Sequence, residues 1–397
     1  MVGTGIFTSL GFQVGPLPSG FVIMALWLTG GLCALCGALS YAELGAAMPR
    51  CGGEYHFLGT IFHPALGFVA GWISATAGFT APAALAAIAF GKYLAGVVPG
   101  VPPLPAAFAV VWVATAFLLG GTRLGSWFQN LATWVKVALL LGIVAAGWLV
   151  GDPQPVAWLP RPGDMALVGS APFAASLIYV MYAYSGWNAS TYIAGEVRNP
   201  SRTIPLSVGV GCALVVLVYL GVNAAMLRST PLAELDGKVE VALTAGPHLF
   251  GVAGARVMVT MGEDLRGLRW FALRSRGGSP VVAILVQFGL VNVGLSIASF
   301  EQVLTCAQFT LQLCAFLTVL GVIVLRRTRP DLPRPYRTWG YPFTPLCFLA
   351  VSLWMLWHTF NFHRTESLVG LGIAAAGLAL YLLAPVNRRT AQGGGRA

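Results

Sequence analysis

Apolar stretches without a charged residue, each long enough to cross a lipid bilayer, recur along almost the whole of this 397-residue chain. A helix needs about 18 or more such residues to cross a hydrocarbon core of about 30 Å at 1.5 Å per residue. Complete spans are expected at about Gly20–Leu44, Ala65–Gly91, Pro105–Gly121, Trp127–Val150, Ala166–Gly195, Ile204–Leu227, Pro280–Phe300, Gln302–Leu325, Pro342–Phe360 and Ser367–Val386. A partial span lies at Met1–Val14 and a defective one between Glu240 and Asp264; counting both gives twelve. No soluble core requires this many, so the expected fold class is all-α and integral to a membrane. Composition agrees: 9% of residues are charged and 57% apolar, against roughly 25% and 45–50% in soluble domains.

The net charge of +10 would suit a nucleic-acid binder, but its placement points elsewhere. If odd-numbered spans run outward, the clusters Arg266–Arg276, Arg326–Arg337 and Arg388–Arg396 fall in inner loops or the tail. Arg161, Arg228, Lys238 and Arg364 are then the outer ones. That asymmetry is the positive-inside pattern of a cytoplasmic-membrane protein with an inner C-terminus, and no nucleic-acid partner is expected. No basic region and small-residue cleavage site mark the first residues as a signal peptide. Cys33 and Cys36 have C-x-x-C spacing inside an apolar helix, with no second pair to complete a metal site. They read as small packing residues, no disulfide framework is expected, and neither metal nor cofactor is implied. No hydrolytic constellation surrounds the five histidines, so no enzyme chemistry is expected.

Two spans carry signs of interruption. The first reads Val2-Gly3-Thr4-Gly5-Ile6-Phe7 and the sixth Tyr182-Ala183-Tyr184-Ser185-Gly186-Trp187-Asn188. Glycine disfavours helix by about 1 kcal/mol against Ala, and backbone groups freed at membrane depth need a cavity or a ligand as partner. A molecule carrying both carboxylate and ammonium groups satisfies both kinds: N–H groups at a helix start bind the anion, and unwound carbonyls bind the cation. Glycines also serve close helix packing, so a single Gly-x-Gly proves little. The two breaks lie five spans apart, at matching places of two five-helix halves, which is the pattern of inverted-repeat transporters.

Four motifs in order carry a family resemblance. They are Gly3-Thr4-Gly5-Ile6-Phe7; Ser40-Tyr41-Ala42-Glu43-Leu44-Gly45 with Gly52-Gly53-Glu54-Tyr55; Tyr182 to Asn188 with Gly195-Glu196-Val197-Arg198-Asn199-Pro200; and Arg334-Pro335-Tyr336-Arg337 with Trp339-Gly340-Tyr341-Pro342. Over nearly its whole length the chain resembles the amino acid–polyamine–organocation permeases, most of all their L-type neutral amino acid branch. The resemblance implies a LeuT-type 5+5 inverted-repeat transporter with two extra C-terminal helices. Its first repeat would cover 1–150, its second 166–325, the extra helices 342–386 and a cytoplasmic tail 387–397. Sodium-independent amino acid transport by alternating access follows, with proton coupling or exchange. A polyamine or amine exchanger is the alternative, although it would need further acidic residues in the spans, where none is evident. A non-transporting remnant acting as a membrane interaction protein is the reading from another class.

By the same resemblance, Thr4, Gly5 and Ile6 hold the substrate carboxylate through backbone N–H groups, and Ala183 and Ser185 supply carbonyls to the amine. Tyr182 closes over the substrate, Trp187 and Asn188 shape the pocket or order the break, and Tyr184 is packing. Lys136 is the expected ion-coupling residue: an ionisable group deep in an apolar span is functional by default, and it resembles the fifth-helix lysine of sodium-independent relatives. Snorkelling to the inner surface is the plainer account. Glu43, and Glu196 with Arg198, are candidates for an inner gate. The branch's accessory-subunit link needs a cysteine in the loop between spans three and four, and 96–104 has none. No disulfide-linked subunit is therefore expected, and the partners are the amino acid substrate and membrane lipid.

The chain departs from the resemblance twice. Only two residues precede Gly3-Thr4-Gly5, where a half-helix is expected, so Met1 is not expected to be the natural start. The segment His248–Gly262 would reach only about 22 Å against the 30 Å core, and Arg256 near its middle adds a penalty of about 2.5–3.5 kcal/mol. The eighth helix is thus expected to be truncated, short or irregular, and transport weakened.

Overall fold

The structure, a computed structural model, describes residues 2–120, 125–151, 153–192, 194–249 and 281–383. All regular secondary structure among those residues is helical, with no strand among them. The chain opens with a single turn, α1 (Gly5–Thr8), followed by a 3-10 turn at Ser9–Phe12. The long helix α2 (Gly20–Ala47) comes next, then short α3 (Glu54–Ile61). A membrane-length pair follows: α4 (Pro64–Ile73) and α5 (Thr80–Val97), joined by a π-helical turn at Ser74–Gly78. After these come α6 (Pro103–Gly120), α7 (Gly125–Leu149), short α8 (Asp164–Val168), α9 (Ala171–Tyr184) and the single turn α10 (Ala189–Tyr192). The chain continues through α11 (Pro200–Ser229), α12 (Leu232–Leu235) and a helical stretch α13 over 241–249. It closes with α14 (Val281–Ile297), α15 (Phe300–Thr328), α16 (Phe343–Phe362) and α17 (Arg364–Leu383).

Among the described residues, six helical runs are long and apolar enough to cross a membrane: Gly20–Ala47, Pro64–Val97, Pro200–Ser229, Phe300–Thr328, Phe343–Phe362 and Arg364–Leu383. Shorter apolar helices add Pro103–Ala116, Thr133–Leu149 and Ala171–Tyr184. The chain is therefore multi-pass. On α11, Leu206, Val210, Leu214 and Leu217 form an exposed stripe at helical spacing, an outward apolar face suited to lipid and not to water. Polar side chains turn inward instead: α15 buries Thr305, Gln308, Thr310, Gln312 and Thr318.

At the centre α2 packs against α9, α11, α15 and α16. Small residues allow this closeness; Gly30 meets Val180 of α9 and Gly31 meets Val216 of α11. Trp27, Tyr184 and Tyr219 interlock edge to face and tilted at 5.3–6.0 Å, and Tyr184 donates to the Trp27 carbonyl. Tyr184 is packing, as expected.

The basic end of the bundle is held by one buried carboxylate. Glu43, 2% exposed, takes two charge-assisted bonds from Arg326 (Nε 2.8 Å, Nη2 2.6 Å) and two from Thr338 (N–H and Oγ1, 2.7 Å each). Arg334 Nε lies 3.7 Å away, and the Arg326 guanidinium stacks on Tyr341 at 3.7 Å. Glu43, a candidate for the inner gate, here fastens α2 to the end of α15 and to the Arg334–Tyr341 loop, and among the described residues Arg198 makes no ion pair with a carboxylate. The Glu196 side chain lies outside the described residues. At the opposite end Arg228 caps α7, donating to the carbonyls of Gly147 (3.1 Å) and Gly151 (3.3 Å) and resting on Trp148. A cation at a helix C-terminus satisfies both orphan carbonyls and the dipole. The expected defect at His248–Gly262 falls, apart from His248 and Leu249, outside the described residues.

Candidate substrate-binding site

The sixth expected span is broken where its sequence indicated. α9 stops at Tyr184, Ser185 is extended (φ −61°, ψ 165°), and Gly186 has φ +93° before α10 begins at Ala189. That backbone angle is open to glycine and strained for other L-residues. Below the Tyr182 carbonyl, which accepts the Ser185 N–H at 3.1 Å, the carbonyls of Ala183 and Ser185 have no backbone donor among the described residues. They are the unpaired acceptors of a helix C-terminus.

α1 lies directly against this break. A Cβ placed on Gly5 would stand 2.6 Å from the Ala183 Cα, so only glycine permits the approach. Thr4 Oγ1 and Tyr182 Oη are 3.2 Å apart, within hydrogen-bond reach, and Ser9 donates to the Tyr179 carbonyl at 3.1 Å. Gly5 and Ile6 open the helix and are not in the non-helical stretch, residues 2–4. By geometry the first N–H groups of α1 have no intrahelical partner.

Between α1, α5, α7, α9 and α15 lies a cavity of about 530 Å³. Thr4, Gly5, Tyr182, Ala183, Ser185, Trp187 and Asn188 all line it, as does Lys136 from α7. Ile6 does not line it; its side chain is fully buried in the core. Trp187, 7% exposed, stands perpendicular to Tyr41 at 4.7 Å and to Phe348 at 6.5 Å, so one edge packs while another borders the cavity. Among the described residues no carboxylate pairs with Lys136.

Residues beyond the sequence expectation complete the wall. Glu54, 4% exposed, accepts from Tyr41 Oη (3.0 Å) and Asn188 Nδ2 (2.7 Å) through Oε1. It thereby fixes the far side of the break, and it brings an acidic group to the cavity from between two spans, where a search of the spans alone misses it. Gln308 and Gln312 line the cavity from α15; four residues apart, they share one helix face. Tyr93 donates to the Phe7 carbonyl (3.1 Å) and accepts the Ala242 N–H (3.2 Å), tying α5 and α13 to the turn after Gly5.

A cavity bordered by helix-start N–H groups on one side and unpaired carbonyls on the other suits a zwitterion, and the sequence comparison agrees. The profile of the amino acid permease family matches residues 1–263 and again 252–373. The chain belongs to the amino acid permease family. Its motifs place it in the amino acid–polyamine–organocation superfamily, as the resemblance implied. Similar proteins include the mouse b(0,+)-type amino acid transporter 1, 26% identical over 390 residues, covering 90% of this chain and 79% of that one. The serine/threonine exchanger SteT of Bacillus subtilis is 24% identical over 413 residues, covering 96% and 92%. The human cystine/glutamate transporter is 27% identical over 416 residues, covering 96% and 82%. The permease is thus a transporter of amino acids and not an enzyme. The comparisons lend no support to the expectation that an accessory subunit is absent.

Proposed function

We propose that this permease carries amino acids across the cytoplasmic membrane by alternating access, without sodium, coupled to protons or by exchange. The observation that carries the reading is the convergence on one cavity of Thr4 and Gly5 from the chain start with Ala183 and Ser185 from the break in α9. The substrate carboxylate sits on the N–H groups of Thr4 and Gly5, and the amine on the Ala183 and Ser185 carbonyls. Tyr182, tethered to Thr4, closes over it, while Trp187 and Asn188 order the break. Lys136, on the same wall, occupies the place of a coupling ion and carries the proton.

The 5+5 inverted repeat, with 1–150 and 166–325 as its halves, is the frame for this motion. The close pairing of α2 with α11, helices at matching positions of the two halves, supports it. The basic end that Glu43 fastens faces the cytoplasm, with the C-terminus on the same side. A remnant that binds without transporting is the second reading. It is favoured by one observation: the family match runs in two pieces that overlap at 252–263, around Arg256.

Uptake of radiolabelled amino acids into proteoliposomes, with and without a pH gradient and with and without internal amino acid, separates these readings. Uptake stimulated by either condition supports the permease. Binding without uptake supports the remnant. Uptake of putrescine in preference to every amino acid tested would transfer the site to the polyamine alternative.

A further inference from the structure

The zwitterionic head accounts for the Thr4–Gly5 and Ala183–Ser185 part of the cavity but leaves another part of its wall unexplained. That wall includes Glu54, the π-helical turn at Ser74 and Gly78, and Gln308 with Gln312. Part of its donor capacity is used within the protein: Asn188 Nδ2 donates to Glu54, Gln308 Nε2 donates to Gln312 Oε1 (3.3 Å), and Gln312 Nε2 donates to Ser352 Oγ (2.8 Å). Two of its acceptors have no partner. Glu54 Oε2 and Gln308 Oε1 are buried and have no hydrogen-bond partner, and the two residues are each 4% exposed. A buried acceptor without a donor is costly, and a buried carboxylate oxygen is more so.

Resting on the amino acid reading above, we propose that this wall is a donor-selective side-chain subsite. It takes amino acids whose side chain ends in N–H or O–H donors, best of all a cationic ammonium, and rejects apolar side chains of the same shape. The logic is that of any site built to hydrogen-bond its substrate. An isostere without the donor leaves buried polar groups unpaired, so discrimination is far stronger than a hydrophobic pocket achieves. Glu54 supplies the charge complement to an ammonium, and Gln308 completes its coordination or receives a hydroxyl. Lys136, the other charge on the cavity wall, comes from α7.

The test compares isosteric pairs on the purified full chain: ornithine against norleucine, and threonine against valine, by ligand-induced thermal stabilisation and by competition for uptake. The expected result is that ornithine and threonine act at concentrations roughly tenfold or more below their apolar partners. Glu54→Gln should abolish the preference for ornithine over norleucine. Gln308→Met should reduce the preference for threonine over valine. If norleucine and valine bind as tightly as ornithine and threonine in the unaltered chain, the subsite is overturned while the amino acid site stands, whatever the variants do. If no amino acid binds a chain that is monodisperse in detergent, the amino acid reading falls and this inference with it.

Discussion

Gly5 and Ala183, from opposite ends of the first half of the chain, approach so closely that a Cβ on Gly5 would lie 2.6 Å from the Ala183 Cα and 2.9 Å from its Cβ. The obstacle is backbone, which cannot swing aside. Gly5→Val is therefore expected to push α1 off the break in α9, at an overpacking cost of about 1–3 kcal/mol, and to abolish substrate binding while the protein still inserts. Gly5→Ala should weaken binding in the same direction. Ligand-induced thermal shift together with membrane yield is the measurement, and parental affinity in either variant would show that the α1–α9 contact is not the site.

Lys136 faces the cavity and has no carboxylate partner among the described residues. Replacing it with Ala is expected to remove the pH dependence of uptake, or uptake altogether. Lys136→Arg should not restore it, because a guanidinium does not release its proton in any working range. Uptake against pH in proteoliposomes decides; unchanged profiles in both variants would return Lys136 to a purely structural role.

The Glu43 network should behave as one unit. Glu43→Ala leaves Arg326 and Arg334 beside an empty, buried site, and removing one partner of such a pair costs about 3–5 kcal/mol. The double variant Glu43→Ala, Arg326→Ala is expected to be no less stable than Glu43→Ala alone, since one of the two uncompensated charges is gone. Melting in detergent gives the cycle, and strictly additive losses would mean the contacts are independent.

At the same end His56 on α3 is held below the ordinary imidazole range, first by burial and then by the nearby charge of Arg50. Protonating it is harder in the folded chain than in the unfolded one. Its contribution to stability is therefore present above about pH 6.5 and is lost as pH falls toward the lower folded-state value. His56→Gln should flatten the decline of melting temperature below that pH. An identical decline in both proteins would remove His56 from the account.

The sequence alone determined the membrane class, the places where helices form and where the sixth span breaks, because these follow from local physics. A bilayer demands about 20 apolar residues per helical crossing, and Gly186 permits a φ of +93° wherever it sits. The motifs likewise indicated Thr4, Gly5, Tyr182, Ala183, Ser185, Trp187 and Asn188, and a lone charge deep in an apolar span indicated Lys136; the fold brings all of them to one cavity. What only the tertiary structure decided was the fate of residues whose role depends on a partner far along the chain. The sequence offered Glu43 without its partner, and only the fold showed that Arg326, 283 residues away, holds it. Glu54 read as part of a loop motif until Asn188, 134 residues away, placed it on the cavity wall. Gln308 and Gln312 were hidden inside an apolar span, since periodicity shows that a helix has a polar face but not what that face meets. Ile6 shows the converse: inside a motif, yet with its side chain turned into the core. Hydrogen bonds and ion pairs act over about 3 Å in space, and separation along the sequence carries no record of that distance.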